Sequence, residues 1–180
     1  MFDLDDFLTR CITAGRETEP RLAVRDVLDQ ALADAGLADA FAGSTHGIDV
    51  LHHAPDLTVL NVVWPPLFRI YPHDHHMWAA IAIYGGQEDN VFFRREAGTL
   101  QKSGGKALRE GDVKLLGDDT IHSVENPTRG YTGAIHVYGG DLMGTSRSQW
   151  TGEPPLEEPY DIDSVRREFD RAQARYLATA

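Results

Sequence analysis

Apolar and polar positions alternate along this chain in two distinct textures. Up to about residue 40 the apolar side chains recur at helical spacing. Leu4, Phe7, Leu8, Cys11 and Ile12 share one face, with Asp3 placed to cap, Asp5 and Asp6 in the first turn and Gly15 at the end. A second helix is predicted from Pro20, with Val24, Val27, Leu28, Ala31 and Leu32 on one face and Gly36 as its stop. From about residue 48 the texture changes to short β-branched and aromatic runs: "LTVLNVVW", "LFRIYPHDH", "WAAIAIY", "NVFFRR", "DVKLL", "HSVEN" and "GAIHVYG". Turn-rich pieces separate them, among them "WPP", "GGQEDN", "KSGG", "EGD" and "NPTRG". Short strands at this spacing with no helix between them predict an antiparallel sandwich or barrel. The Pro-rich "GEPPLEEPY" reads as irregular. From about Asp161 a helical period returns, with Ile162, Val165, Phe169, Ala172 and Tyr176 on one face and Asp163 or Ser164 as the cap. The expected organisation is one domain over 1–180: helices over 1–40, a β-barrel core over 48–142 and a C-terminal helix over 161–178.

Composition narrows the classes. The chain has 180 residues, 42% of them apolar and 25% charged, which are globular values. The net charge of −11 repels phosphate backbones and anionic lipid, and there is no basic patch with interleaved aromatics, so neither nucleic acid nor a membrane is expected as a partner. The lone cysteine, Cys11, excludes an internal disulfide framework. The acidic start "MFDLDDFL" lacks the basic first region of a signal peptide. A cytoplasmic protein, monomeric or homodimeric, is the expectation.

Histidines supply the candidate chemistry. Three of the eight stand within four residues in "YPHDHHMW". His73 and His75 are two apart, so a strand aims both at one point, while His76 faces the other way. His122 in "IHSVEN" and His136 in "AIHVYGG" lie in further strand-like runs. A lone histidine is by default a core or surface residue; a His-x-His pair with another strand histidine is a metal-site pattern. His46, His52 and His53 have no spacing that ties them to the cluster. Three neutral imidazoles with open positions suit Fe(II), Zn(II), Ni(II) or Mn(II), and ligand count alone does not choose.

"HDH", a following apolar strand, Gly86, and then "GDVKLLGDDTIHSVEN" resemble the two motifs of the cupin superfamily, whose fold is a double-stranded β-helix (jelly-roll) barrel around a metal. The first motif finds His73, His75 and Gly86 here, with Leu67 at its leading glycine and Ala79 or Ala80 where its glutamate stands. The second finds Gly111, His122 and Asn126, with Gly117 and Asp119 replacing its proline and glycine. A three-histidine site without the glutamate is similar to the thiol dioxygenase branch, typified by cysteine dioxygenase, and the similarity spans roughly residues 57–140. It implies Fe(II) held by His73, His75 and His122, with Zn, Ni or Mn possible substitutes in purified protein. It implies a small-molecule thiol and dioxygen as substrates and a sulfinate as product, the thiol not necessarily being cysteine. That branch carries a Ser-x-His-x-Tyr relay beside the iron. Here Ala134 replaces the serine, while His136 and Tyr138 are kept as the catalytic candidates. The tyrosine–cysteine crosslink of some members is not expected, since the matching position is near Ala80. The family's carboxylate-binding arginine has no counterpart at "THGIDV". Arg69, four residues before His73, is the first substitute, ahead of Arg95 and Arg129, and Trp78 is a further candidate lining residue. The alternatives are a cupin metalloenzyme acting on a non-thiol substrate and a non-catalytic metal- or small-molecule-binding cupin.

Overall fold

The structure, a computed structural model, describes residues 2–44 and 46–178. Met1, Thr45 and residues 179–180, which the single-domain expectation includes, lie outside the described residues. Two helices lead the chain, α1 (Leu4–Ala14) and α2 (Pro20–Leu32), followed by a short α3 (Leu37–Ala40) that the apolar pattern does not signal. Asp3 caps α1 by accepting from the Asp6 amide at 3.0 Å, and Pro20 opens α2.

Among the described residues eleven strands follow. They are β1 (Gly47–His53), β2 (Thr58–Trp64), β3 (Arg69–Asp74), β4 (Ala79–Gly85), β5 (Gln87–Glu96), β6 (Thr99–Arg109), β7 (Val113–Leu116), β8 (Ile121–Glu125), β9 (Thr132–Tyr138), β10 (Ser148–Thr151) and β11 (Leu156–Pro159). One sheet runs β1-β2-β9-β4-β7 and the other β11-β10-β3-β8-β5-β6, with every pairing antiparallel. Consecutive strands cross repeatedly between the sheets. This is the jelly-roll, or double-stranded β-helix, order expected from the strand-rich texture and the two motifs. Helix α4 (Ile162–Leu177) closes the chain.

Strands β2, β4 and β9 are buried along nearly their whole length because both of their faces are covered. Leu60, Val62, Ala79, Ile81, Ile83, Ala134 and Tyr138 turn into the barrel. Val59, Ala80, Ala82, Ile135 and Val137 turn outwards onto Phe7, Cys11, Val24 and Leu28 of α1 and α2. The period of two therefore divides one apolar run between two cores. Helix α4 covers part of the barrel with Val165, Phe169 and Ala172, and Phe169 stacks on Trp64 with ring centroids 5.2 Å apart. No helix among the described residues is long and apolar enough to cross a membrane.

Four local readings are corrected. "GGQEDN" turns only at Gly86: Gly85 ends β4 and Gln87 to Asn90 belong to β5, with Glu88 and Asn90 buried. The polar letters suggest a loop, but these side chains face inwards and satisfy one another. Gly104 and Gly105 of "KSGG" sit inside β6, beside a register shift opposite Phe92 and Phe93. "GEPPLEEPY" contributes strand β11, paired with β10 across a turn holding Pro154 and Pro155. The cap of α4 is Asp161, accepting from the Asp163 amide at 3.0 Å, rather than Asp163 or Ser164.

Candidate metal centre

His73 lies on β3 directly opposite His122 on β8, their Cα positions paired across the ladder. His75 follows two residues on, past the end of β3, and turns the same way. All three are buried, and each offers one ring nitrogen such that these atoms lie within 4.8 Å of one another. His76, as its position in the pleat implies, does not join them. It takes a positive φ of 55°, is half-exposed and meets the Asp74 carboxylate at 3.4 Å.

The hydrogen bonds around the rings agree with a bound cation. His73 Nδ1 sits 3.2 Å from the Tyr71 carbonyl, so the proton belongs on Nδ1 and Nε2 keeps its lone pair. His122 Nδ1–H likewise donates to Asn90 Oδ1 at 2.6 Å. His122 Nε2 then faces His75 Nε2 at 3.3 Å. Two nitrogens about 2.1 Å from one tetrahedral ion stand about 3.4 Å apart, so this pair already has the spacing of co-ligands. His75 Nδ1 is buried without a hydrogen-bond partner, leaving packing and its Nε2 contact to orient the ring. Burial pulls the His73 pKa down to about 4, and burial together with the neighbouring histidines pulls His75 and His122 well below the ordinary value. All three are therefore neutral at pH 7, the form in which imidazole binds a metal.

Among the described residues no carboxylate joins the group. Ala79, at the motif's glutamate position, faces the barrel interior, whereas Ala80 faces the helices. Of the buried carboxylates nearby, Asp74 accepts from the Ser148 amide at 2.7 Å, and Glu88 is turned elsewhere. Glu88 accepts from Trp64 Nε1 at 2.7 Å and from Asn90 Nδ2 at 2.9 Å, and His136 Nε2 lies 3.3 Å from it. Burial pushes its carboxyl up, but the His136, Asn90 and Trp64 hydrogen bonds and the His136 charge outweigh that and hold it below the usual value. On the other side of the ring, His136 Nδ1 lies 3.1 Å from the Tyr138 hydroxyl. Ala134 brings no hydroxyl to His136; Glu88 supplies the polar contact there. Burial raises the Tyr138 pKa, so the phenol stays protonated. Its ring packs edge-on against His75, with centroids 5.0 Å apart.

These groups line a cavity of about 50 Å³ walled by Leu60, Val62, Ile70 and Val124 and bounded by Met143, Arg147 and Tyr160. The structure brings His73, His75, His122, His136 and Tyr138 to that cavity but not Arg69 or Trp78. A regular pleat would set Arg69 beside His73. The β3–β8 register instead slips between Ile70 and His73, around Pro72, which has no N–H to give. The slip leaves Arg69 at the surface, 76% exposed and paired with Glu125 at 2.8 Å. Trp78 packs in the helix-side core against Gly139. Arg95 is half-exposed, bridging Asp74 and Glu157, and Arg129 is exposed. The arginine that reaches the cavity is Arg147, between β9 and β10, its guanidinium 3.7 Å over the Tyr160 ring. Its surroundings, "SRSQW", carry no pattern, because a loop returns it from far along the chain. Cys11 lies under the helix layer, its thiol pushed up by burial to about 12.

No family model matches the chain, and none of the curated proteins does. Solved structures do. A protein of Bacillus halodurans matches at 14% identity and a TM-score of 0.52, over 59% of this chain and 80% of its own. An RmlC-like cupin family protein with a double-stranded β-helix fold from Methanocaldococcus jannaschii matches at 12% identity and a TM-score of 0.46, over 56% of this chain and 84% of its own. A Cupin 2 conserved barrel domain protein from Salinispora arenicola matches at 22% identity and a TM-score of 0.38, over 48% and 65%. At such identities the likeness to the Bacillus halodurans protein is one of fold alone.

Proposed function

We propose that the protein is an Fe(II)-dependent dioxygenase that converts a small acidic thiol to its sulfinate, working in the cytoplasm. The observation that carries this reading is a neutral set of three buried histidines, without a carboxylate ligand, sharing one small cavity with the Tyr138 phenol and the Arg147 guanidinium. Bound Fe(II) supplies coordination for a thiolate and for dioxygen, and the overall change, RSH + O₂ → RSO₂H, takes its electrons from sulfur and balances without a further reductant. A neutral ligand set suits an anionic thiolate, because binding it brings the site towards charge balance.

The chain's own residues do the rest. Arg147, held over Tyr160, is placed to pair with a carboxylate on the substrate, and a guanidinium makes that pairing in a two-pronged geometry. Tyr138, held by His136, presents a protonated phenol beside His75. Leu60, Val62, Ile70 and Val124 exclude bulk water. A cavity of about 50 Å³ has room for about three to five water-sized groups, fewer than the heavy atoms of 3-mercaptopropionate together with dioxygen, so Met143 and the start of α4 must shift to admit the substrate.

The test combines metal analysis with an oxygen electrode. Protein reconstituted with Fe(II) is offered 3-mercaptopropionate, cysteine and cysteamine. The proposal requires oxygen uptake with sulfinate formation, abolished by His122→Ala and weakest with cysteamine, which has no carboxylate. One equivalent of bound metal with no thiol-dependent uptake would instead favour a cupin acting on another substrate or binding without catalysis.

A further inference from the structure

Glu88 is the least exposed carboxylate among the described residues, at 0%, and it lies on no conventional ligand position. Its two oxygens reach two different parts of the site. Oε1 accepts from Asn90, whose own carbonyl accepts from the metal-facing His122; Oε2 accepts from Trp64 and meets His136, which holds Tyr138. We propose that Glu88 is a positioning residue that orders both arms: it fixes, through Asn90, the tautomer that presents His122 Nε2 to a metal, and it holds His136 against Tyr138. The inference rests on the metal-site reading for its consequence, but not for its geometry.

The reasoning follows donors and acceptors. His122 can offer Nε2 to a cation only if its proton sits on Nδ1, which requires an acceptor there. Asn90 provides that acceptor with Oδ1, so its NH₂ group must point at Glu88. The Trp64 indole N–H is a donor in every state and also points at Glu88. Glu88 must therefore accept at both ends, and of the side chains of this shape only a carboxylate does. The depressed Glu88 pKa agrees with an ionised group. A glutamine cannot satisfy both arms. If its oxygen serves Trp64 and His136, its NH₂ faces Asn90. Asn90 must then flip and present its own NH₂ to His122 Nδ1, which drives the His122 proton onto Nε2. This arrangement keeps the Trp64 indole N–H paired, whereas the reverse orientation sets the glutamine NH₂ against it, so it is the one Glu88→Gln adopts; His75 Nε2 then accepts from His122 Nε2–H and its own proton sits on the partnerless Nδ1. The cost then falls on metal binding. The same logic gives a repair. When Glu88→Gln is combined with Asn90→Asp, the new amide NH₂ donates to one oxygen of the new carboxylate. The other oxygen of that carboxylate again accepts from His122 Nδ1–H, and the total charge is unchanged.

The experiment uses full-length protein labelled with ¹⁵N-histidine. Two-bond ¹H–¹⁵N spectra of the metal-free form read each tautomer, and a Zn(II) competition titration reads affinity. Wild type should show His122 as Nδ1–H. Glu88→Gln should move it to Nε2–H and weaken Zn(II) by about 10- to 100-fold, the range found when partners of ligating histidines are lost. The double variant should recover Nδ1–H and come within about threefold of wild-type affinity, since the donor pattern is restored. Glu88 acting only as core packing would leave the His122 tautomer unmoved in Glu88→Gln, and that result overturns the inference; so does an Nε2–H tautomer in wild type, or a double variant no better than the single one. Should Glu88→Gln not fold, the wild-type spectrum and the double variant still decide. If the tautomers respond as stated but wild type takes up no Zn(II), the metal reading fails and the positioning role stands.

Discussion

Asn126 offers a stability test whose size can be worked from its contacts. It is fully buried and stitches the segment before β3 to the β8–β9 loop. Its Nδ2 donates among the carbonyls of Trp64, Pro65 and Gly130 at 3.2, 3.0 and 2.9 Å, and its Oδ1 accepts from the Thr128 amide and hydroxyl at 3.0 and 2.8 Å. Two protons serve three carbonyls, so the effective count is about four bonds, each worth about 1 kcal/mol net. Gly130 keeps the Thr128 hydroxyl at 3.0 Å, which offsets part of the loss. Asn126→Ala should therefore cost about 3 kcal/mol and lower the melting temperature by about 6–12 °C for a chain of this size. Asn126→Asp should be worse than alanine, because a carboxylate would then face three carbonyl oxygens with no proton to share. Thr128→Val, which removes only a hydroxyl at the edge of the network, should cost about 1 kcal/mol. Urea and thermal unfolding followed by circular dichroism give the three values. An aspartate variant more stable than the alanine variant, or an alanine variant within about 1 kcal/mol of wild type, would refute the reasoning that this amide is a buried, saturated clasp.

Three further outcomes are expected. Between pH 6.5 and about 4 the unfolded chain binds a proton at His73 that the folded chain refuses, so the metal-free protein should lose stability as pH falls through that window and be flat above it. The His73 contribution is about 3 kcal/mol at most, read by urea midpoints at stepped pH, and stability rising as pH falls towards 4 would contradict the burial of neutral histidine. Gly139→Ala should destabilise by about 1–3 kcal/mol and change tryptophan fluorescence, since a Cβ there would stand 2.0 Å from the Trp78 indole; an unchanged melting curve would place Trp78 elsewhere. Arg147→Gln should raise KM for 3-mercaptopropionate by about 10- to 100-fold, the loss of a charge-assisted pair, with kcat less affected, while Arg69→Gln leaves both unchanged. Equal effects of the two substitutions in steady-state kinetics would remove Arg147 from substrate binding.

Much of the architecture is legible in the sequence because its signals are local. Helical periods in α1, α2 and α4 and the apolar runs of β2, β4 and β9 each identify an element without knowledge of its neighbours. His73 and His75 pair from the strand period alone, and His122 from the motif around it. The misplacements share one cause: a local rule is extended past the point where other strands intervene. Counting residues through a regular pleat places Arg69 at the site, and the slip at Pro72 breaks the count. "QEDN" reads as a turn because it is polar, yet Glu88 and Asn90 are buried and answer each other's hydrogen bonds. Nearness in sequence to the histidines puts Trp78 at the cavity, whereas the alternation on the approach to β4 sends it to the helix side.

By itself, then, the sequence determined the kinds of element, the barrel class and the histidine triad that could hold a metal, since period and residue chemistry are properties of short stretches. Tertiary structure alone decided which charged groups meet that triad. Arg147 arrives on a returning loop, and Glu88 gains its role only because β5 lies beside β8 and faces β9 across the barrel. A buried charge is tolerable solely where partners from other strands saturate it, and those partners are chosen by the packing of the whole barrel rather than by any stretch of the chain.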